Sequence, residues 1–511
     1  MDHSLDKLRR AAKQLRKAHQ AGEQAARQRL RLHPPKPELT ALQHADYLHV
    51  IARENGFASW PQLKLAVEVS GMDRAQKQQR LKVALYQGQN AVVQRLLAET
   101  PDLANGMFGL QCALYNRAAV AEMLAADPKA ATRKYGPRSA ILHLAFSKYI
   151  HAVPEREADM MSIARMLVEA GADVNDSYSG SPNADEPLSA LYGAIGHADN
   201  MVLGQWLLDQ GANPNDGESL YHACELSHRE GLRMLLAAGA DPKGTNALLR
   251  AMDFHDIGMV KMLLEAGADA DEFNADPMRV EEVYVLPAMH QAARRMCSGQ
   301  MANLLLKAGS DPSATLQGVS AYALARAYGN TTVADAIVRA GGSAVLSEQE
   351  AILAVAAEGD AQEGVFVDPA ELSPLLRGMV RELVSMPDTM AHIKRLIALG
   401  LEYDRGDDHE DVTPVQIAGW EGLPEMMAYF ISLRPDLSHI NGHGGTLLST
   451  IVHGSENCPA RENREHVACA RMVLEHGVAL PKWAISMAGD EAMLGFLMDW
   501  ATAHPGQVTE G

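Results

Sequence analysis

Short apolar runs at helical spacing recur along this chain, and most of them close in one way: an apolar stripe, a glycine, then a short polar turn. The phrase reads MLVEAGADVND (166–176), WLLDQGANPND (206–216), MLLAAGADPKG (234–244), MLLEAGADADE (262–272) and LLLKAGSDPSA (304–314). Weaker copies are AIVRAGGSAVL (336–346), RLIALGLEYDR (395–405) and MVLEHGVALPK (472–482). Physically this is a helix end, whose glycine is free to take positive φ and start a reversal. The expected turn glycines are Gly171, Gly211, Gly239, Gly267, Gly309, Gly341, Gly400 and Gly477. Their spacing scatters around a period of about 33 residues. The two steps from Gly211 to Gly239 to Gly267 are only 28 residues each, which predicts trimmed hairpins there.

A second phrase precedes each copy by roughly twenty residues and predicts a capped inner helix. It stands as Thr413-Pro414-Val415-Gln416-Ile417-Ala418, Leu142-His143-Leu144-Ala145, Ser320-Ala321-Tyr322-Ala323-Leu324-Ala325, Met289-His290-Gln291-Ala292 and Ser219-Leu220-Tyr221-His222-Ala223. The two phrases, in this order and many times over, resemble the T-P-L-H-x-A opening and GADVN-like ending of the ankyrin repeat. In that frame Thr or Ser caps the inner helix, Pro occupies its first turn and Ala lets neighbouring inner helices approach. A helix pair cannot bury its apolar face alone, so the resemblance implies an all-α ankyrin-repeat solenoid of about twelve or thirteen stacked units. Long polar loops are expected at 172–187 and 270–286, and insertions within single repeats at 148–158 and 452–465. The histidine of the second phrase, His143 and His290 here, is implied to hydrogen-bond backbone between neighbouring units as part of the scaffold.

Ahead of the repeats, Gly56 ends one helix, Ser59 caps the next and Pro61 sits in its first turn, with Trp60 filling the seam. The phrase GFASWPQLK (56–64) resembles a small helical N-terminal module that precedes ankyrin repeats in many bacterial proteins. The chain therefore divides into residues 1–75, a helical module with a basic start; 76–342, ankyrin repeats with a regular block at 138–342; and 343–511, degenerate and C-terminal repeats ending in a capping unit.

Composition narrows the function. The chain has 511 residues, 47% of them hydrophobic, with aromatics at only 5%, which suits helices and excludes wholesale disorder. No run approaches eighteen apolar residues, so no membrane span is expected, and the charged start MDHSLDKLRRAAKQLRK lacks the apolar core of a secretory signal. Five sparse cysteines, Cys112, Cys224, Cys297, Cys458 and Cys469, fit a reducing cytoplasm. Of the net charge of −18, residues 1–36 carry +7, leaving −25 for the body. Such a field repels phosphate backbones and attracts basic partners, which argues against nucleic acid as the ligand of the body. The basic start, with Leu5, Leu8, Ala12, Leu15 and His19 at helical spacing, reads as an amphipathic helix packed on the repeats.

No constellation for catalysis emerges: a phosphate loop, a zinc-protease helix, a nucleophile elbow and a dinucleotide fingerprint are all missing from the sequence. Gly442-His443-Gly444-Gly445 belongs to a hairpin, and His409-Glu410-Asp411 to a loop tip. His453, Cys458, His466 and Cys469 are zinc-type ligands, but H-x4-C-x7-H-x2-C matches no common zinc module, so neither a metal nor another cofactor is expected.

Ankyrin recognition, by the resemblance, uses hairpin tips and inner-helix faces. The frame places Ser147 and Lys148, Gly196 and His197, Glu225 and Leu226, Asp253 and Phe254, Arg294 and Arg295, Ala327 and Tyr328, and Trp420 and Glu421 on that concave surface. Phe254, Arg294, Arg295, Tyr328, Trp420, Glu421, Glu225 and Leu226 are the expected partner contacts, since aromatics and arginine dominate binding hot spots. The expectation is a non-catalytic cytoplasmic scaffold for a protein or peptide with a basic surface. The alternative is a regulatory protein touching nucleic acid or an acidic membrane surface through the basic helix of residues 1–36.

Overall fold

The computed structural model describes residues 5–37, 42, 44–179, 187–272, 286–360, 364–407 and 410–510. Most of the two long polar loops, and His409, lie outside the described residues. Within them the chain is all-α, built from stacked helix pairs with a few short two-stranded pairings. It forms two compact units: residues 63–314 with 335–343, and residues 1–62 with 315–334 and 344–511. Residues 1–62 group with the C-terminal repeats in this division.

The first of these units stacks seven helix pairs. They are Arg74–Gln87 with Asn90–Glu99, Phe108–Ala113 with Arg117–Ala126, Ala140–Ala145 with Glu157–Glu169, and Ala190–Tyr192 with Met201–Asp209. Ser219–Ala223 with Glu230–Ala237, Ala247–Asp253 with Ile257–Glu265, and Ala288–Arg294 with Gly299–Lys307 complete it. Inner helices are short, and their alanines, among them Ala140, Ala194, Ala223, Ala247 and Ala292, are fully buried where neighbouring helices meet. The two 28-residue steps carry no strand pair, whereas hairpins form at Lys134–Tyr135 with Arg138–Ser139 and at Ser177–Ser179 with Pro187–Ser189. His143 donates from Nε2 to the Tyr135 carbonyl at 3.0 Å, a scaffold role inside its own hairpin.

The turn phrase now has a mechanism. All eight glycines adopt positive φ, from 87° at Gly477 to 107° at Gly309. Two residues on, Asp173, Asn213, Asp241, Asp269 and Asp311 each accept a bond from the backbone N–H two positions later, closing a local turn. Four residues past the glycine, the side chain reaches the next repeat: Asn175 accepts from the Asn213 N–H at 2.7 Å, Asn215 from Asp241 at 2.7 Å, and Asp271 from Asp311 at 3.0 Å. The same bond joins Asp404 to the Asp436 N–H at 2.8 Å in the second unit. There the glycine place is held by Arg434, with φ 61°, a copy of the turn that the glycine pattern did not reveal.

In the second unit, Ala321–Tyr328 packs along Glu348–Glu358. The pairs that follow are Pro374–Arg377 and Met379–Leu383 with Met390–Ala398, Pro414–Trp420 with Pro424–Ser432, Leu447–Asn457 with His466–Glu475, and Lys482–Met487 with Glu491–Ala503. At the start of Pro414–Trp420 the Thr413 N–H donates to Gln416 Oε1 at 3.1 Å, with Pro414 in the first turn.

The basic start meets the end of the chain. Helix Leu5–Gln20 buries Leu8, Ala12 and Leu15, and packs on His44–Glu54, where Tyr47 shares a 2.8 Å hydrogen bond with His19. Arg9 pairs with Glu491 at 3.1 Å and Lys13 with Asp499 at 2.6 Å, both acids lying on the last helix, Glu491–Ala503. Arg29 and Lys36 pair with Glu54 and Asp46. Arg9, Lys13, Arg29 and Lys36 are therefore matched by carboxylates of their own unit.

Two predictions follow from this packing. Replacing Arg434 by Gly relieves a left-handed conformation that costs a side-chain-bearing residue about 1 kcal/mol, so Arg434→Gly raises the urea midpoint of unfolding. Glu491→Lys sets like charges together where both side chains are four-fifths or more covered, and lowers stability by roughly 1 kcal/mol, less so in molar salt. Chemical unfolding at low and high salt measures both, and an unchanged midpoint for Glu491→Lys contradicts the end-to-end ion pairs.

Candidate binding face

The inner helices of the first unit end in a row of side chains that touch from one repeat to the next. Tyr86, at the end of Arg74–Gln87, stacks on Phe146 with centroids 5.9 Å apart and planes 8° off parallel. His197 lies 4.1 Å from the Tyr86 ring and 5.3 Å from Phe146, and donates from Nε2 to the Tyr86 carbonyl at 2.9 Å. Tyr192 meets Phe146 edge-on at 5.7 Å and His222 at 4.9 Å. From His222 the row turns ionic. His222 contacts Glu225 at 2.8 Å and Glu218 at 3.2 Å, and Glu225 pairs with Arg250 at 2.6 Å. Arg250 lies 5.4 Å from the Tyr221 centroid and 5.1 Å from that of Phe254, and approaches Asp253, which binds Arg295 at 3.0 Å.

Local backbone features make this possible. Ala190–Tyr192 continues into a π turn, Gly193–His197, closed by the Ala198 N–H to the Gly193 carbonyl, which aims His197 onto the face. At Gly193 a Cβ would lie 2.5 Å from the Phe146 ring, so only glycine lets the ring seat there. The hairpins supply two more groups: Tyr178, edge-on to Phe146 at 5.3 Å, and Arg138, over Tyr86 at 4.8 Å.

Burial and charge set the protonation states. Burial and the nearby Lys148 ammonium push His197 down to about 4, so it is neutral. Burial also pulls His222 down, but the hydrogen bonds and charges of Glu218 and Glu225 outweigh it and hold the ring up at about 9, as a cation. Burial raises Tyr178 and Tyr192 well above the usual phenol range.

The sequence-expected contacts divide between the two units. Glu225, Phe254 and Arg295 join the row, and Phe254 is 51% exposed. Leu226 is half-buried beside them. Arg294 is a correction: it is 3% exposed and its guanidinium donates to Gln291 at 2.9 Å, so it offers a partner no surface. Tyr328, in the other unit, is likewise 3% exposed, because the end of its inner helix is packed over. Trp420 is half-buried, with its ring 5.1 Å from His453 and its carbonyl accepting from His466 Nε2 at 2.8 Å. Glu421 faces Arg464 at 3.6 Å and Cys458 at 3.7 Å. Thus His453, Cys458 and His466 each have a separate partner, Cys469 is fully buried, and no metal-holding group of His, Cys, Asp or Glu occurs among the described residues.

Sequence reasoning missed Tyr86, Arg138, Phe146, Tyr178, Tyr192 and His222. It placed His197 and Lys148 on this surface by frame alone. Tyr86 sits in a degenerate repeat without the phrase, and Arg138 and Tyr178 arrive from hairpins whose tilt no periodicity encodes. Composition carried no signal for them, because residues 86–254 hold little more than their share of the aromatics.

No family model and no curated protein matches the chain. Solved structures do. The human ASB11 ankyrin repeat domain is 20% identical, over 47% of this chain and 99% of that one, with a TM-score of 0.35. An ankyrin repeat domain from Acinetobacter baumannii AYE is 23% identical, over 39% and 100%, with a TM-score of 0.30. The ankyrin repeat domain of Bcl-3, described as a unique member of the IkappaB protein family, is 20% identical, over 45% and 97%, with a TM-score of 0.33. The repeat architecture of this chain rests on its own helix pairs and turn bonds.

The His222 cluster generates a pH dependence. A pKa of about 9 against 6.5 when unfolded means that the folded chain retains a proton the unfolded chain has lost. The stabilisation is complete below pH 6.5 and is lost as pH rises through 9, with a slope of at most about 1.4 kcal/mol per pH unit. Unfolding of the wild type and of His222→Gln between pH 6 and 10 checks this; equal slopes would contradict the ionic cluster.

Proposed function

We propose that this chain is a non-catalytic scaffold that binds a partner protein on the inner-helix face running from Tyr86 to Arg295. The observation that carries the reading is Phe254, half-exposed on the Arg250 guanidinium at the end of a continuous row of aromatic and ionic contacts. Rigid aromatics and arginines prearranged on one surface are the groups that contribute most at protein interfaces. The thiols support a non-catalytic role: all five cysteines are buried, and burial raises each above the ordinary thiol range. Five buried free thiols also suit a reducing cytoplasm. No helix among the described residues is long and apolar enough to cross a membrane.

The net charge of −18 favours approach of a partner with a basic surface over long range. Ion pairing of Arg9, Lys13, Arg29 and Lys36 within the chain favours this reading over contact with nucleic acid or an acidic membrane through residues 1–36.

Affinity capture from the native cell lysate tests the proposal, comparing the wild type with Phe254→Ala/Arg295→Glu. Phe254 is exposed and Arg295 half-exposed, and circular dichroism and the unfolding midpoint check that the variant keeps its fold, with Phe254→Ala alone as the second variant. The expected result is a protein recovered by the wild type and lost, at least tenfold, by the variant. Recovery of the same protein by both would move the binding surface elsewhere, and recovery of nucleic acid that depends on residues 1–36 would overturn the reading.

A further inference from the structure

Arg138 differs from every other arginine of the face. Arg250 and Arg295 are neutralised by Glu225 and Asp253, but no carboxylate of the described residues lies within ion-pair distance of Arg138. Its guanidinium instead rests on rings, 4.8 Å from the Tyr86 centroid, 5.3 Å from Tyr178 and 5.7 Å from Phe146. Its Nε is buried without a hydrogen-bond acceptor, while the side chain as a whole remains half-exposed. Alongside are Lys148, whose ammonium burial makes less basic, and His197, kept neutral by burial and by these cations. Positive charge is therefore gathered and partly desolvated here, in a chain with a surplus of acid. Holding an unpaired guanidinium out of water is unfavourable, and an arriving anion offsets that cost.

The geometry narrows the anion. Three rings flank the guanidinium and restrict its orientation, and the fork of N–H groups on a guanidinium is the match for a carboxylate. A single negative charge balances a single arginine, whereas a multiply charged phosphate chain meets the field of the whole body. We propose that Arg138, set on Tyr86, Phe146 and Tyr178, anchors a carboxylate of the peptide segment that this face binds. The inference rests on the protein-binding reading and names one feature of the partner: an Asp, a Glu or a terminal carboxylate within an otherwise basic surface.

Arginine-selective NMR of the full chain tests the anchor without the partner. Ring currents from three aromatics displace the Arg138 Nε–H resonance, which is assigned by its absence in Arg138→Lys. The probes are N-acetyl-glutamate amide, N-acetyl-glutamine amide and inorganic phosphate, at matched ionic strength. The expected result is a saturable shift of this resonance with the glutamate derivative, none with the glutamine derivative, and weaker binding of phosphate. Tyr178→Leu, which removes one ring and keeps the arginine, should weaken the glutamate response about threefold. Overturning results are no saturable shift, equal shifts with the glutamine derivative, tighter binding of phosphate, or calorimetric binding of glutamate unchanged in Arg138→Lys. A captured protein partner together with an unmoved Arg138 resonance would sink the anchor and leave the scaffold reading standing. A saturable glutamate response with no protein partner would do the reverse.

Discussion

The spacing of the repeats depends on one hydrogen bond, made by the Asn or Asp four residues past the turn glycine to the backbone N–H of the next turn. Asn175, Asn215, Asp271 and Asp404 all make it, across both compact units. It needs a left-handed residue to aim the turn and a short polar side chain to span the gap. With neighbouring turns clamped, the inner helices approach at their buried alanines, and side chains at their ends come within 4 to 6 Å of each other. From Phe146 to Arg295 the contact row runs along repeats of which three neighbouring pairs carry this bond. The spacing is also the reason that a face drawn from six separate repeats can act as one surface.

Charge on this face is mostly internal. Glu218, His222, Glu225, Arg250, Asp253 and Arg295 neutralise one another in sequence, so they stiffen the surface more than they advertise a sign. The N-terminal module does the same against the last helix, where Arg9 and Lys13 meet Glu491 and Asp499. Net charge therefore acts on a charged molecule from a distance, while Arg138, with no carboxylate in ion-pair distance among the described residues, is the local charge of the face.

Much of the repeat frame was legible in the sequence, including positions where it looked weakest. The turn between inner and outer helix expects a left-handed residue, supplied by Gly329 and Gly422 in two copies. Around Asp253–Phe254 and Arg294–Arg295 no glycine follows, yet His255 and Met296 take the same conformation with φ 54°. Arg434 does so in a turn that lacks its glycine altogether. Packing overrode local preference there, because neighbouring repeats dictate the path of the backbone. The surface was less legible. Tyr328 and Arg294 have hot-spot residue types at frame positions expected to face a partner, and both are buried. Position in a repeat specifies direction relative to that repeat, but what lies over it belongs to other parts of the chain.

The sequence by itself determined the all-α repeat architecture, the turns with their positive φ, the capped inner helices and the amphipathic character of the first helix. These follow from local periods, from glycine's conformational freedom and from short-range hydrogen bonds, all written within about 33 residues. Only the tertiary structure decided that the first helix meets the last, that residues 1–62 fold with the C-terminal repeats, and that Tyr86, Arg138, Phe146, Tyr178 and His197 converge. Those contacts join residues tens to hundreds of positions apart. They are set by how stacked repeats accumulate twist and tilt, a quantity that no single repeat contains.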